Sequence, residues 1–120
     1  MFDELTLFGT MEVKGATAEA AVSANAEHEI DLRVAAKEED LEKLRIVFIA
    51  LNADVPSATF TLKEGDSVEN MAAVRTETLT DMKKGASYKV PFPLEHKRYM
   101  SISVSSNTNA TFYSALEFGA

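Results

Sequence analysis

The residues best suited to chemistry are two histidines, because imidazole is the commonest general base and a frequent metal ligand. His28 lies in the segment AEHEID among three carboxylates, and such a row on one strand face could hold a hard cation such as calcium. An acidic strand edge that discourages pairing with other chains is the commoner role of this pattern. We therefore predict no metal site at His28.

His96 lies in the charged segment LEHKR. A catalytic base needs an orienting partner and a nucleophile, and the chain contains neither a GxSxG nor an HExxH motif. The five glycines form no GxGxxG or GxxxxGK motif, so no phosphate-binding loop is indicated. We predict that the protein is not an enzyme, with no catalytic residues and no cofactor.

A second acidic cluster occupies residues 37–44, KEEDLEKL. It lacks the alternating ligand spacing and the central glycine of a calcium loop. Charged residues here surround only Leu41 and Leu44, which predicts an exposed connector with one helical turn.

Composition narrows the function classes further. The chain has 120 residues and no cysteine, which excludes disulfides, zinc thiolate sites and thiol nucleophiles. Its formal charge of -7 opposes binding to nucleic acid and to anionic membrane surfaces, so we expect neither as a partner. Asp3 and Glu4 stand where a signal peptide would be basic, and no apolar run approaches the ~18–20 residues of a membrane span. We expect a soluble protein without an export signal.

These residues must be positioned by strands, because the dominant hydrophobic period is two. Three segments show it most clearly: SATFTLKEG, RYMSISVSS and TFYSALEFGA, each with one apolar and one more polar face. RIVFIAL at 45–51 is apolar on both faces after Arg45, which predicts a central strand that is covered on both sides or partly buried against a partner chain.

Further strands are predicted at 73–80 and 87–92, and also at 17–24 and 28–34. Pro91 and Pro93 remove ladder donors, so the strand at 87–92 should lie at a sheet edge or end near Val90. About eight short strands and at most one short helix predict an antiparallel β-sandwich of jelly-roll type. An immunoglobulin-like sandwich is the alternative. We place an N-terminal arm or first strand at 1–10 and one sandwich domain at 11–120.

Two groups of apolar or aromatic residues suggest contacts with other chains. The N-terminal segment carries several large apolar residues, which either pack across the core of the protomer or dock on another subunit. Two tyrosines lie on the strand faces opposite the apolar stripes. The candidate interface residues are therefore Phe2, Leu5, Leu7, Phe8, Tyr99 and Tyr113.

An ordered pattern of residue types runs along most of the chain, from the N-terminus to an Arg-Tyr-hydrophobic strand that is followed by a final apolar strand. Its residues are Met1, Asp3, Leu5, Phe8, Ala16, Thr17, Ala18, Ile30, Asp31, Leu32, Met82, Lys84, Gly85, Pro91, Pro93, Arg98, Tyr99 and Met100. This pattern resembles that of the Bordetella phage cement-protein family of tailed bacteriophages. At residues 37–44 the charged segment replaces the Gly- or Pro-rich connector expected of the family.

The resemblance implies a jelly-roll capsid decoration protein that binds the outside of an icosahedral head and links major capsid subunits. It would be made in the bacterial host cytoplasm, reside on the outer capsid surface of the virion, and form a homo-oligomer, a dimer or trimer. The alternative is a carbohydrate- or host-surface-binding β-sandwich module, although the chain offers no Trp and only three Tyr for stacking on sugars.

Overall fold

The computed structural model describes residues 7–35, 43–91 and 97–118. These residues form nine β-strands and one helical turn, and all strand pairs are antiparallel. The elements are β1 (Leu7–Val13), β2 (Val22–Asn25), β3 (Ile30–Asp31), α1 (Leu32–Ala35), β4 (Leu44–Ala50), β5 (Val55–Gly65), β6 (Ala72–Met82), β7 (Ser87–Pro91), β8 (Tyr99–Ser106) and β9 (Ala110–Phe118).

The strands form two sheets. The first sheet has the order β1-β9-β4-β7 and the second β2-β8-β5-β6, with β3 also pairing with β8. The chain therefore pairs in nested order: β1 with β9, β2 and β3 with β8, β4 with β7, and β5 with β6. This nesting is that of a jelly roll, and it confirms the predicted β-sandwich fold.

The predicted alternation is present where the sequence showed it best. Along β8 every second side chain from Met100 onward is buried, and β5 buries Ala58, Phe60 and Leu62 in the same way. β4 lies between β9 and β7, and its Val47 is buried although it points away from the core partners of that strand. β4 is thus an interior strand of its sheet, as the segment RIVFIAL predicted, but on its outer side only Val47 is buried, whereas Arg45 and Ile49 are half-buried.

Three phenylalanines form the centre of the core between the sheets. The ring of Phe60 from the second sheet lies 4.1 Å from that of Phe48 and 5.6 Å, edge-on, from that of Phe112, both from the first sheet. All three side chains are fully buried. Contacts of this kind stabilise the stacking of the two sheets beyond the apolar area that they bury.

The early strands are shorter than predicted. Residues 17–20 form a tight turn, in which the backbone groups of Thr17 and Ala20 exchange two hydrogen bonds. The predicted strand at 28–34 is reduced to β3, because the Asp31 carboxylate accepts the Arg33 N–H and the chain then enters α1. Most of the predicted connector at 37–44 lies outside the described residues, as does His96.

Candidate functional site

The outer face of the second sheet is rich in hydroxyl groups. β2, β8, β5 and β6 carry Ser or Thr at outward-facing positions, so that hydroxyls align across the strands. We call this surface the hydroxyl face. It consists of exposed or half-buried residues: Ser23, Ser57, Thr59, Thr61, Thr76, Thr78, Thr80, Ser101, Ser103 and Ser105.

The hydroxyl face has a regular geometry set by the ladder. One row crosses all four strands as Ser23, Ser105, Thr59 and Thr78. Neighbouring strands of a sheet lie about 4.7–4.9 Å apart, and side chains on one face of a strand repeat every second residue. The Oγ1 atoms of Thr59 and Thr78 lie 3.0 Å apart, within hydrogen-bonding distance. The face therefore presents evenly spaced groups that both donate and accept hydrogen bonds.

A cleft of about 270 Å³ opens at one end of the hydroxyl face. Its floor is β8, and its walls come from the 25–29 segment, Lys63 and the loop that joins β5 to β6. Its polar lining residues include Asn25, His28, Glu29, Lys63, Glu69 and Ser101. Ligand sites for drug-sized molecules usually measure about 300–1,000 Å³, so this cleft suits a smaller polar molecule.

The carboxylates beside His28 do not form the row that a cation would need. The Oε1 atom of Glu27 accepts the Thr10 N–H at 2.8 Å and the Thr10 hydroxyl at 2.7 Å, and these bonds lower the pKa of Glu27. Asp31 is engaged by Arg98 instead. Within residues 7–35, 43–91 and 97–118, no group of three or more His, Asp or Glu side chains could hold a metal ion.

Arg98, which directly precedes β8, binds Asp31 of β3. Its Nε and Nη2 atoms reach both carboxylate oxygens of Asp31 at 2.9–3.2 Å. This hydrogen bonding lowers the pKa of Asp31 and raises that of Arg98. The guanidinium also lies 4.9 Å from the ring centre of Tyr99. The pair therefore fixes the orientation of a half-exposed tyrosine beside the hydroxyl face.

The four predicted interface residues that the structure describes do not come together. Phe8 is buried in the core of the protomer, whereas Leu7 is half-buried at the start of β1. Tyr99 lies on the outer side of the second sheet, and Tyr113 on the outer side of the first, where burial raises the pKa of its phenol. Phe2 and Leu5 lie outside the described residues. Phe8 thus fits the alternative expectation, packing within the protomer.

Most residues of the cleft give no signal in the sequence. His28 was singled out for its imidazole, and its exposed side chain does line the cleft. Lys63 and Glu69 were not singled out, because they are 35 or more residues away from His28 along the chain. They meet His28 only through the pairing of β8 with its two neighbours. The alternating threonines of β5 and β6 were the signal for the hydroxyl face.

No family model matches the chain, and no curated protein matches it. In the part of the chain that the structure describes, every helix is too short or too polar to cross a membrane.

Proposed function

We propose that this protein is a bacteriophage capsid decoration, or cement, protein that binds the outer surface of an icosahedral head and stabilises contacts between major capsid subunits. The order of residue types from Met1 to Met100 supports this, because it resembles that of a cement-protein family. The jelly-roll pairing is the fold that the resemblance implies.

The observation that carries the proposal is the hydroxyl face. The whole chain has a formal charge of -7, yet this face presents mainly neutral groups, with Lys63 at its margin opposite Ser101. Hydroxyls cost less free energy to remove from water than ionised groups do, and they form directional bonds with a partner surface. Each such contact is weak, but repetition over a symmetric shell adds them through a raised effective concentration.

The test is co-sedimentation of the purified protein with undecorated capsids of the cognate phage. Thr61→Glu places a charge at the centre of the hydroxyl face, where Thr61 is flanked by Ser103 and Thr76. Ser87→Glu is the matched control, since exposed Ser87 lies on β7 of the first sheet. We expect the wild type and Ser87→Glu to sediment with capsids, and Thr61→Glu to lose at least about tenfold in affinity, or 1.4 kcal/mol.

Circular dichroism of both variants confirms that the sheets are intact. Failure of the wild-type protein to bind cognate capsids at micromolar concentration contradicts the proposed function. Equal binding by all three proteins would support capsid binding but would show that the contact does not lie on the hydroxyl face.

Carbohydrate binding is a second candidate function, favoured by the cleft. Its lining offers acceptors in Glu29 and Glu69 and a donor in Lys63, while Val68 and Met71 supply apolar surface. A sugar ring needs this combination, because it carries hydroxyls at its rim and C–H groups on its faces.

Amide NMR spectra recorded with methyl glucoside, and separately with N-acetylglucosamine, test this. We expect concentration-dependent shifts confined to cleft residues such as Asn25 and Ser101, and their loss in Lys63→Ala. Lys89→Ala, on the outer side of the first sheet, is the control that should behave as wild type. Unchanged spectra at tens of millimolar of both sugars contradict carbohydrate binding.

A further inference from the structure

The four edges of the sandwich differ in how they are protected. β1 is the edge of the first sheet, and a neighbouring segment covers it: the Thr10 N–H is bound by the Glu27 carboxylate, and the Phe8 carbonyl accepts the His28 N–H at 3.0 Å. Free strand edges are templates for pairing with other chains, so such caps keep an edge from being used.

Two further edges carry the usual protections of an edge strand. β7 has only five residues and contains Lys89 and Pro91. The opposite edge of the second sheet is divided between β2, of four residues, and β3, of two. Short strands, lysine and proline all discourage pairing with another chain.

β6 lacks these protections. It is an edge strand of 11 residues, Ala72–Met82, and it contains neither lysine nor proline. Leu62 of β5 pairs with Arg75 and the next residue, Lys63, pairs with Ala73, so the extra residue is Val74 and the bulge lies near the N-terminal end of β6; the register is regular from Arg75 onward. Val74, at that end, is 50% exposed. In the part of the chain that the structure describes, β6 is therefore the longest edge strand.

The ladder determines which backbone groups of β6 face the free edge. Successive residues of an antiparallel strand direct their N–H and C=O groups alternately to one side and the other. The Ala26 N–H donates to the Ile102 carbonyl at 2.9 Å, so Ser103 must bond to β5 instead. Its partner Thr61 consequently bonds to β8 and not to β6. Thr76, which lies opposite Thr61, thus directs its N–H and C=O to the free edge.

We infer that β6 pairs antiparallel with β6 of a second copy of this chain, about a two-fold axis at Thr76. In this register Arg75 of each copy lies opposite Glu77 of the other, and the Thr76 backbone groups bond across the axis. Moving the axis to Arg75 or Glu77 places like charges opposite each other, which is destabilising. An axis at Thr78 brings Asp81 into the ladder, and its φ of 52° is not that of a strand.

The side chains of Arg75 and Glu77 are suitably placed for this exchange. Both lie at the rim of the core beside β7, where they form an ion pair, and Arg75 donates to the Pro91 carbonyl at 3.1 Å. Opposed residues that do not share backbone bonds approach to about 4.5 Å between Cα atoms, close enough for an ion pair across the axis.

Pairing of this kind would join the second sheets of two copies into one continuous sheet. Because the axis is perpendicular to the sheet, both hydroxyl faces lie on the same side. The inference is separate from the proposed function: it would hold for a protein that dimerises through β6 and never binds a capsid.

Sedimentation equilibrium of the full chain tests it, with Thr76→Pro as the first variant. Proline removes the central N–H of the predicted pairing but no bond to β5. Ser23→Pro is the matched control on the opposite edge: Ser23 is three residues before Ala26, so its N–H also points away from the ladder. We expect the wild type and Ser23→Pro to dimerise, and the dissociation constant of Thr76→Pro to rise at least about 100-fold.

Charge exchange provides a second test that does not alter the backbone. Glu77→Arg places two arginines opposite each other at each side of the axis and should weaken dimerisation. The double variant Arg75→Glu with Glu77→Arg restores opposite charges and should recover it. Hydrogen exchange at the Thr76 and Thr78 amides should slow in the dimer.

Three results would overturn the inference. The first is a wild-type protein that stays monomeric at millimolar concentration. The second is a loss of dimerisation in Ser23→Pro as large as in Thr76→Pro. The third is a Glu77→Arg variant that dimerises as well as the wild type.

Discussion

At the scale of single residues, Gly9 is a position where both the backbone conformation and a neighbouring side chain disfavour a Cβ atom. Its φ is 91°, which disfavours any residue with a Cβ atom. A Cβ built on Gly9 would lie 2.8 Å from Oε1 and 3.2 Å from Cβ of Glu27. Because Glu27 is held by two hydrogen bonds from Thr10, it cannot move aside without losing them.

We predict that Gly9→Ala lowers the free energy of unfolding more than Gly15→Ala does. Gly15 also has a positive φ, of 77°, but its Cβ would have no atom within 4 Å. Both variants carry the left-handed backbone cost of about 1–2 kcal/mol. Gly9→Ala adds the displacement of Glu27, which breaks its hydrogen bonds with Thr10. Urea denaturation measures both values, and equal destabilisation of the two variants would contradict the proposed crowding at Gly9.

At the scale of elements, the sequence specified best the strands with one dry and one wet face. Along β5, β8 and β9, buried and more exposed side chains alternate because the core covers one side of each strand. This one-sided burial produces the hydrophobic period of two in the sequence. β4 was identifiable for the opposite reason: apolar residues on both sides mark a strand in the middle of its sheet.

The segment between β1 and β4 was not predictable in detail, because side-chain hydrogen bonds interrupt its strands. The Asn109 carboxamide accepts the Ala16 N–H at 2.8 Å, and the Thr17 side chain and backbone cap the turn at Ala20. Asp31 ends β3 in the same way. Bonds of this kind compete with the ladder, and Asn109 lies 93 residues away from Ala16, so no local pattern indicates its effect.

Part of the candidate site could be predicted from the sequence, and part could not. The three serines of the hydroxyl face on β8, beside Tyr99, follow from the alternation of RYMSISVSS. The rows across β2, β5 and β6 depend on register, and a shift of one residue would turn every hydroxyl into the core. Register is set by burial across the whole sheet, which a reading of one segment cannot supply.

At the scale of the whole molecule, the nested pairing means that the first and last strands must meet before the sandwich can close. Such pairings join residues far apart in sequence, and chains dominated by them fold slowly. The side of the sandwich beside β1 is closed by Glu27, which reaches from the edge of the second sheet to Thr10 in the first. One carboxylate therefore links the two sheets.

This link should make stability depend on pH in a defined direction. The Thr10 bonds hold the pKa of Glu27 below its usual value of 4.5. A carboxyl group whose pKa is lowered in the folded protein stabilises it above the unfolded-state pKa, and that contribution is lost as the pH falls through the folded-state pKa. The difference in unfolding free energy between the wild type and Glu27→Gln should therefore be largest near neutral pH and shrink below about pH 4.5.

Glutamine keeps the size of the side chain and one acceptor but carries no charge, so the pH dependence of that difference isolates the titration of Glu27. Urea denaturation between pH 7 and pH 2 measures it. An NMR titration of the Glu27 carboxyl carbon should give a midpoint below 4.5, and Thr10→Val should raise that midpoint while leaving the backbone donor in place. A difference that stays constant, or grows on acidification, would show that Glu27 links the sheets through packing and not through its charge.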